Sequence, residues 1–181
     1  MTFQRNLLVT GGAGFIGSHV VRLLVNKYPQ YRIVNLDKLT YAGNLANLVD
    51  IENAPNYTFV KADICDFEKM LEIFRTEQVE YVFHLAANSD IQASAQSPMI
   101  EYKNTYSTTF ILLECMRLCG VKKLFFASTS AVYGEQMGAE VSEEAVALKP
   151  ISYYGGAKLG SEGIISSFAY MNDMSVLVFR F

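Results

Sequence analysis

The chain has 181 residues, 51% of them hydrophobic and 18% charged, with a formal net charge of −3. That composition excludes a disordered or fibrous protein, and the mild negative balance gives no electrostatic reason to expect nucleic acid or an anionic membrane as a partner. The length suits one domain with a substantial core; no apolar run reaches membrane-spanning length, and Met1 leads straight into a strand without a signal peptide, so the expected compartment is the cytoplasm.

Apolar bursts alternate with helical patterns from end to end, as expected for a parallel sheet covered on both faces. The pattern predicts a strand over 7–10, a helix over 15–27 and a strand over 32–36. A long loop through Tyr41, Gly43 and Asn44 leads to a strand over 57–61. Asp66 caps a helix running to about Glu77, and a fourth strand follows over 81–85. Pro98 suits the first turn of a long helix that ends near Gly120. A strand over 123–128, a helix over 152–171 and a strand over 176–179 complete the chain. Between them, 134–150 reads as a loop whose Glu140, Glu143 and Glu144 are solvated surface. The fold expected is α/β, a doubly wound parallel-sheet Rossmann fold of about six strands with helices on both faces, forming one domain over 1–181.

The first strand runs into Thr10-Gly11-Gly12-Ala13-Gly14-Phe15-Ile16-Gly17. Two glycine registers overlap there, Gly11, Gly14, Gly17 and Gly12, Gly14, Gly17. Missing side chains let the turn fold tightly, let a pyrophosphate reach the backbone and let the helix pack on the strand. The helix N-terminus then offers unpaired N–H groups and the positive end of its dipole to an anion. Alone, such a triplet describes any tight strand-to-helix turn. Asp37 strengthens it, standing 20 residues past Gly17 at the end of the second strand. A carboxylate there accepts from ribose hydroxyls and repels a 2′-phosphate, which favours NAD over NADP; Lys38, next in line, partly offsets that repulsion.

Tyr154 and Lys158 lie four residues apart on the last helix and so share a face. A phenol ionises near pH 10, and an ammonium within about 4–6 Å lowers that by ~1–3 units. Lys158 is therefore expected to activate Tyr154 and to hold the nicotinamide ribose. Gly155 and Gly156 are costly in a helix and fit a first turn that a ligand approaches closely. Ser128-Thr129-Ser130, at the carboxyl end of the fifth strand, offers a hydroxyl to share the Tyr154 proton. Cys65, Cys115 and Cys119 read as free thiols, and no His or further Cys is spaced to complete a metal site.

With these motifs in place, the chain resembles the extended short-chain dehydrogenase/reductases that modify nucleotide sugars, the NAD-dependent epimerases and dehydratases. The resemblance rests on residues 10–19, Asp63-Ile64, His84-Leu85-Ala86-Ala87, Ser128-Thr129-Ser130-Ala131-Val132-Tyr133-Gly134 and Tyr154-Gly155-Gly156-Ala157-Lys158. It implies that Phe15 and Ile16 abut the pyrophosphate, that Asp63 and Ile64 flank the adenine, and that Leu85, Ala86 and Ala87 line the cofactor path with Asn104 nearby. It implies Thr129, Tyr154 and Lys158 as the catalytic set, and no metal.

Two branches of that family compete. Residues 37–44 are similar to dTDP-glucose 4,6-dehydratases, in which an Asp-Glu pair follows the catalytic Thr; here Ser130 and Ala131 stand there, and Asn88 replaces a Glu. From the fourth strand onward the chain resembles UDP-hexose 4-epimerases, so the resemblance implies an epimerase with a dehydratase as alternative. Members of the family are nearly twice as long, with a C-terminal part that grips the nucleotide-diphosphate sugar. The expectation is therefore a cofactor domain lacking its substrate domain, with little activity alone or acting as an NAD-binding module without turnover. A homodimer through the helix bearing Phe110, Ile111, Leu112 and Leu113 is also implied; the competing reading packs that face on the sheet.

Overall fold

The computed structural model describes residues 3–135, 141–143 and 147–181. Six parallel strands form one sheet: β1 (Arg5–Thr10), β2 (Tyr31–Asp37), β3 (Tyr57–Lys61), β4 (Tyr81–His84), β5 (Lys123–Ser128) and β6 (Ser175–Arg180). Their spatial order is β3-β2-β1-β4-β5-β6. The order reverses between β1 and β4, and a doubly wound sheet binds its ligand in the crevice at such a reversal, beyond the carboxyl ends of the strands. Each expected strand is present; β1, β2 and β6 run two residues longer than expected, β3 and β5 match, and β4 ends one residue earlier.

Alternation along β1 divides the core. Leu8 faces one side with Val34, Val82, Leu124 and Phe126, and helices α2 (Phe67–Thr76), α5 (Ser107–Cys119) and α6 (Tyr153–Asn172) cover it with Phe74, Leu112, Leu113 and Ile165. Leu7 and Val9 face the other side, under Val21, Leu24 and Val25 of α1 (Phe15–Lys27) and Leu48 of a short 3₁₀ turn (Leu45–Leu48). On that second face the cover thins past β4. Strand register aligns Val9 with Phe83, Phe125 and Leu177. Phe83 stacks on Phe125 with centroids 4.3 Å apart, while Leu177 and Phe179 stay 56% and 45% exposed. Helices lie on both faces, but they do not cover the β6 end of the second one.

Local signals explain the helix ends. The Asp66 carboxylate accepts from Lys69 N at 3.1 Å at the head of α2, and the Ser152 hydroxyl accepts from Gly155 N at 3.0 Å at the head of α6. Gly120 closes α5 at φ +72°, a left-handed cap that glycine adopts without strain.

The stretch after β4 departs from the sequence reading. In place of one helix from Pro98 there is a separate helix α3 (Ile91–Gln96), a single turn α4 (Met99–Glu101), a π-helical stretch (Tyr102–Tyr106) and then α5. The last three run on continuously. A π-stretch accommodates an extra residue without ending the helix, and side-chain hydrogen bonds described below hold it. Leu112 and Leu113 are fully buried in the core, so half of the apolar run proposed for a dimer face packs on the sheet; Phe110 remains 42% exposed, edge-on to Phe168. The three cysteines are free thiols, and no metal-binding cluster occurs among the described residues. Glu143 is exposed as expected, whereas Glu140 and Glu144 lie outside the described residues.

Candidate active site

A cleft of about 610 Å³ opens at the strand tips over the β1/β4 switch point, within the range of sites for cofactor-sized ligands. Every expected cofactor and catalytic residue lines it: Gly11, Gly14, Phe15, Ile16 and Gly17 from the glycine turn, Asp37 and Lys38 from the end of β2, Asp63 and Ile64 beyond β3. Leu85, Ala86 and Ala87 follow β4, Asn104 comes from the π-stretch, Thr129 follows β5, and Tyr154 and Lys158 come from α6.

The glycine turn is built so tightly that side chains have no room. Gly11 sits at φ +73°, and a Cβ there would lie 2.7 Å from the Ala86 backbone; one on Gly17 would lie 2.1 Å from the Gly11 carbonyl oxygen. No side chain caps α1 and its first turn holds no acid, so the positive helix end faces the cleft. Gly14, the N-cap, meets nothing closer than 3.4 Å. This donor set and open approach fit a pyrophosphate.

Asp37 is buried and held by two backbone donors, Ala13 N at 3.0 Å and Leu39 N at 2.8 Å. Each carboxylate oxygen keeps a free lone pair, enough for a pair of ribose hydroxyls. Lys38 is not free to neutralise a 2′-phosphate: its ammonium donates to Asn104 Oδ1 at 2.8 Å and to Asp63 Oδ2 at 3.3 Å. The offset expected from Lys38 is thus reduced, because Asp63 and Asn104 already hold its ammonium.

At the other end, Thr129 Oγ1 accepts from Ala131 N at 3.1 Å, opening a 3₁₀ turn (Ser130–Tyr133), and lines the same cleft as the Tyr154 phenol. Lys158 is 2% exposed, donates to the Ala127 carbonyl at 2.6 Å and lies over the Phe126 ring at 4.6 Å. Burial pushes its pKa down to about 8 against the upward pull of Glu101 and Glu162. The phenol moves opposite to the sequence expectation. Burial raises the Tyr154 pKa, and Glu101 and Tyr41 add to that, while the opposing pull comes from Thr129. Lys158, which donates to Ala127 and lies over Phe126, is not among the groups that lower the phenol's pKa.

Two further expectations change. A Cβ on Gly155 would lie 2.8 Å from the Ala131 carbonyl, so this glycine serves the packing of α6 on the 3₁₀ turn; one on Gly156 would meet nothing within 4 Å. Neither lines the cleft. Ser128 hydrogen-bonds Glu162, which in turn pairs with Arg180 at 2.7 Å, while Thr129 is the neighbour that pulls the Tyr154 pKa down.

Sequence reasoning missed several participants. The Tyr41 hydroxyl bridges the loops after β2 and β4, 3.3 Å from Asn88 Oδ1 and 3.0 Å from Ser89 Oγ. His84 is fully buried between Thr10 Oγ1 at 2.7 Å and Thr109 Oγ1 at 3.1 Å. Thr109 already donates to the Thr105 carbonyl, so His84 carries its proton on Nε2 and accepts at Nδ1. Burial, then the Lys158 charge, drives its pKa down to about 3. Such side chains are scattered in sequence, and only the sheet brings them together.

A protein-family model described as GDP-mannose 4,6 dehydratase matches residues 8–181. The chain belongs to that family. With it the chain falls among the extended short-chain dehydrogenase/reductases that the motifs suggest. The chain is 37% identical to mouse dTDP-D-glucose 4,6-dehydratase over 99% of its own length and 50% of that protein. A dTDP-glucose 4,6-dehydratase from Bacillus anthracis, solved with NAD, superposes at TM-score 0.88 and 34% identity, covering 97% of this chain and 54% of that one. UDP-glucose 4-epimerase from Thermotoga maritima, solved with UDP-glucose, superposes at 0.87 and 38% identity with the same coverage. The chain spans about half the length of the relatives it matches.

Proposed function

We propose that residues 1–181 form the NAD-binding catalytic domain of a nucleotide-sugar 4-epimerase acting in carbohydrate metabolism. In this reading the pyrophosphate lies on the N-terminus of α1, the adenosine ribose on Asp37 and the adenine beside Asp63 and Ile64. The nicotinamide end then reaches Thr129, Tyr154 and Lys158. The fit of the glycine turn to an anion and the gathering of all these residues in one cleft support it. NAD, when bound, supplies the hydride acceptor for C4 oxidation and a positively charged ring that favours ionisation of a nearby phenol. The Tyr154 oxygen takes the C4 hydroxyl proton, the Thr129 hydroxyl shares it, and Lys158 anchors the ribose. The proton returns from Tyr154 when the ketone is reduced on its other face.

The observation that favours epimerisation over dehydration is the fate of the acids. Ser130 and Ala131 carry no carboxyl, and the acids lining the cleft, Asp37, Asp63 and Asp90, are each held by backbone amides. None of the three stands in the two positions after Thr129, where the dehydratase pattern has its acid pair. The dehydratase remains the second reading because the sequence relatives cited bear that name. The length of those relatives supports placing the sugar-gripping part in a longer parent, with little turnover by these residues alone.

The test incubates the protein with NAD and UDP-glucose, follows absorbance at 340 nm and identifies products by NMR. A transient NADH signal and the C4 epimer are expected, with Tyr154→Phe binding NAD normally and losing the transient about 10²–10⁴-fold. A 4-keto-6-deoxy product overturns the epimerase, and NAD binding without any hydride transfer reduces the chain to a binding module.

A further inference from the structure

Behind the cleft wall lies an acid that the proposed chemistry does not use. Glu101, closing α4, is 2% exposed, and it forms no ion pair among the described residues. Its surroundings are donors. Asn88 Nδ2 donates to Oε1 at 2.6 Å, the Thr105 hydroxyl donates to Oε2 at 2.6 Å, and Ser94 Oγ also contacts Oε1. Thr105 Oγ1 in turn accepts Asn88 N at 3.2 Å, which ties the π-stretch to the loop after β4. A set that donates to both carboxyl oxygens suits an ionised carboxylate, which only accepts.

This cluster packs on α6, the helix that carries Tyr154 and Lys158. The titratable groups acting on Lys158 come from three elements: Glu101 from α4, Glu162 from α6 itself and His84 from β4. Glu162 is committed to Arg180 through hydrogen bonds of 3.1 and 2.7 Å. His84 is neutral, its two nitrogens occupied by threonines. A buried ammonium is costly without a nearby negative charge. Of the two carboxylates, Glu101 is the one that no arginine already holds.

We propose that Glu101 is a positioning residue for the Tyr154–Lys158 pair, its buried carboxylate serving as the counter-charge that keeps Lys158 an ammonium while Asn88 and Ser94 lock it to the cleft wall. The significance for catalysis rests on the NAD-dependent reading above; the charge balance itself belongs to the protein without coenzyme. Glu101 and Glu162 both act to keep Lys158 protonated against its burial, and Glu101 acts on Tyr154 in the same sense. Removing the charge while keeping the shape lowers the pH at which each of the pair loses its proton.

The experiment is an NMR titration of the Lys158 side chain in the coenzyme-free protein, assigned with Lys158→Arg, for the wild type and Glu101→Gln. The Lys158 midpoint is expected to fall by about one pH unit in Glu101→Gln, with the Tyr154 phenol moving the same way by ultraviolet titration. An unchanged midpoint in folded Glu101→Gln overturns the proposal and leaves Glu101 as scaffolding. Should Glu101→Gln fail to fold, Thr105→Val, which removes the donor at Oε2, is titrated instead; a smaller fall supports the proposal and no fall overturns it. Failure of the wild type to bind NAD in a separate calorimetric titration would count against the function proposed above and leave this result standing.

Discussion

Acidification should weaken this protein through one buried ring. In the unfolded chain His84 takes up a proton near its ordinary pKa of 6.5, whereas in the folded protein burial holds it neutral down to about 3. Between those values the unfolded state binds more protons, so stability present at neutral pH is lost as the pH falls. Integrating between pH 7 and 5 gives a loss of about 2 kcal/mol, a large share of a net stability of order 5–15 kcal/mol. Lys158, held down to about 8, titrates above this window. Asp50 and Glu114, held below the usual carboxylate range by Arg22 and Arg117, titrate beneath it. Urea unfolding followed by circular dichroism at both pH values isolates the effect, and the midpoint should drop by about 1 M with an unchanged slope. In His84→Gln the pH dependence should flatten even though the variant is less stable at pH 7. A wild-type midpoint equal at the two pH values, or a variant that keeps the full dependence, would refute the reasoning.

The other expectations probe the turn, the ion pair and the ribose clamp. Gly17→Ala forces a Cβ to within 2.1 Å of the Gly11 carbonyl and should cost about 1–3 kcal/mol in urea unfolding; Gly156→Ala, which meets nothing within 4 Å, should instead gain about 0.5–1 kcal/mol. Arg180→Ala strands Glu162, whose side chain is 11% exposed, and should lower stability by about 2 kcal/mol, read as a fall in Tm by calorimetry. Asp37→Ala should weaken NAD binding about tenfold, or ~1.4 kcal/mol, and narrow its advantage over NADP, both measured by isothermal titration.

Much of the site was legible because its residues follow strand ends. The glycine turn, Asp37 and Thr129 each sit at or just beyond the end of an apolar burst, and a doubly wound sheet brings all such ends to one edge, while the Tyr154–Lys158 pair shows in its helical spacing. What stayed hidden depends on packing between distant segments. The π-stretch at Tyr102–Tyr106 leaves apolar spacing almost unchanged, and it is held by Thr105 bonding to Glu101 and Asn88. Glu101 and His84 read as an ordinary acid and an ordinary histidine until burial is known. Tyr154 is the sharpest case. Spacing placed it beside Lys158, but its proton affinity follows from burial, which no spacing reports.

The central claim is that a dinucleotide lies across the β1/β4 switch point with its nicotinamide end at Tyr154. A crystal structure of the protein grown with NAD tests it most directly. Density for the pyrophosphate against Gly14 and Phe15, with a ribose on Asp37 and the nicotinamide beside Tyr154 and Lys158, is the result predicted. Coenzyme bound elsewhere on the surface, or a cleft that stays free of it at saturating NAD, would contradict the account.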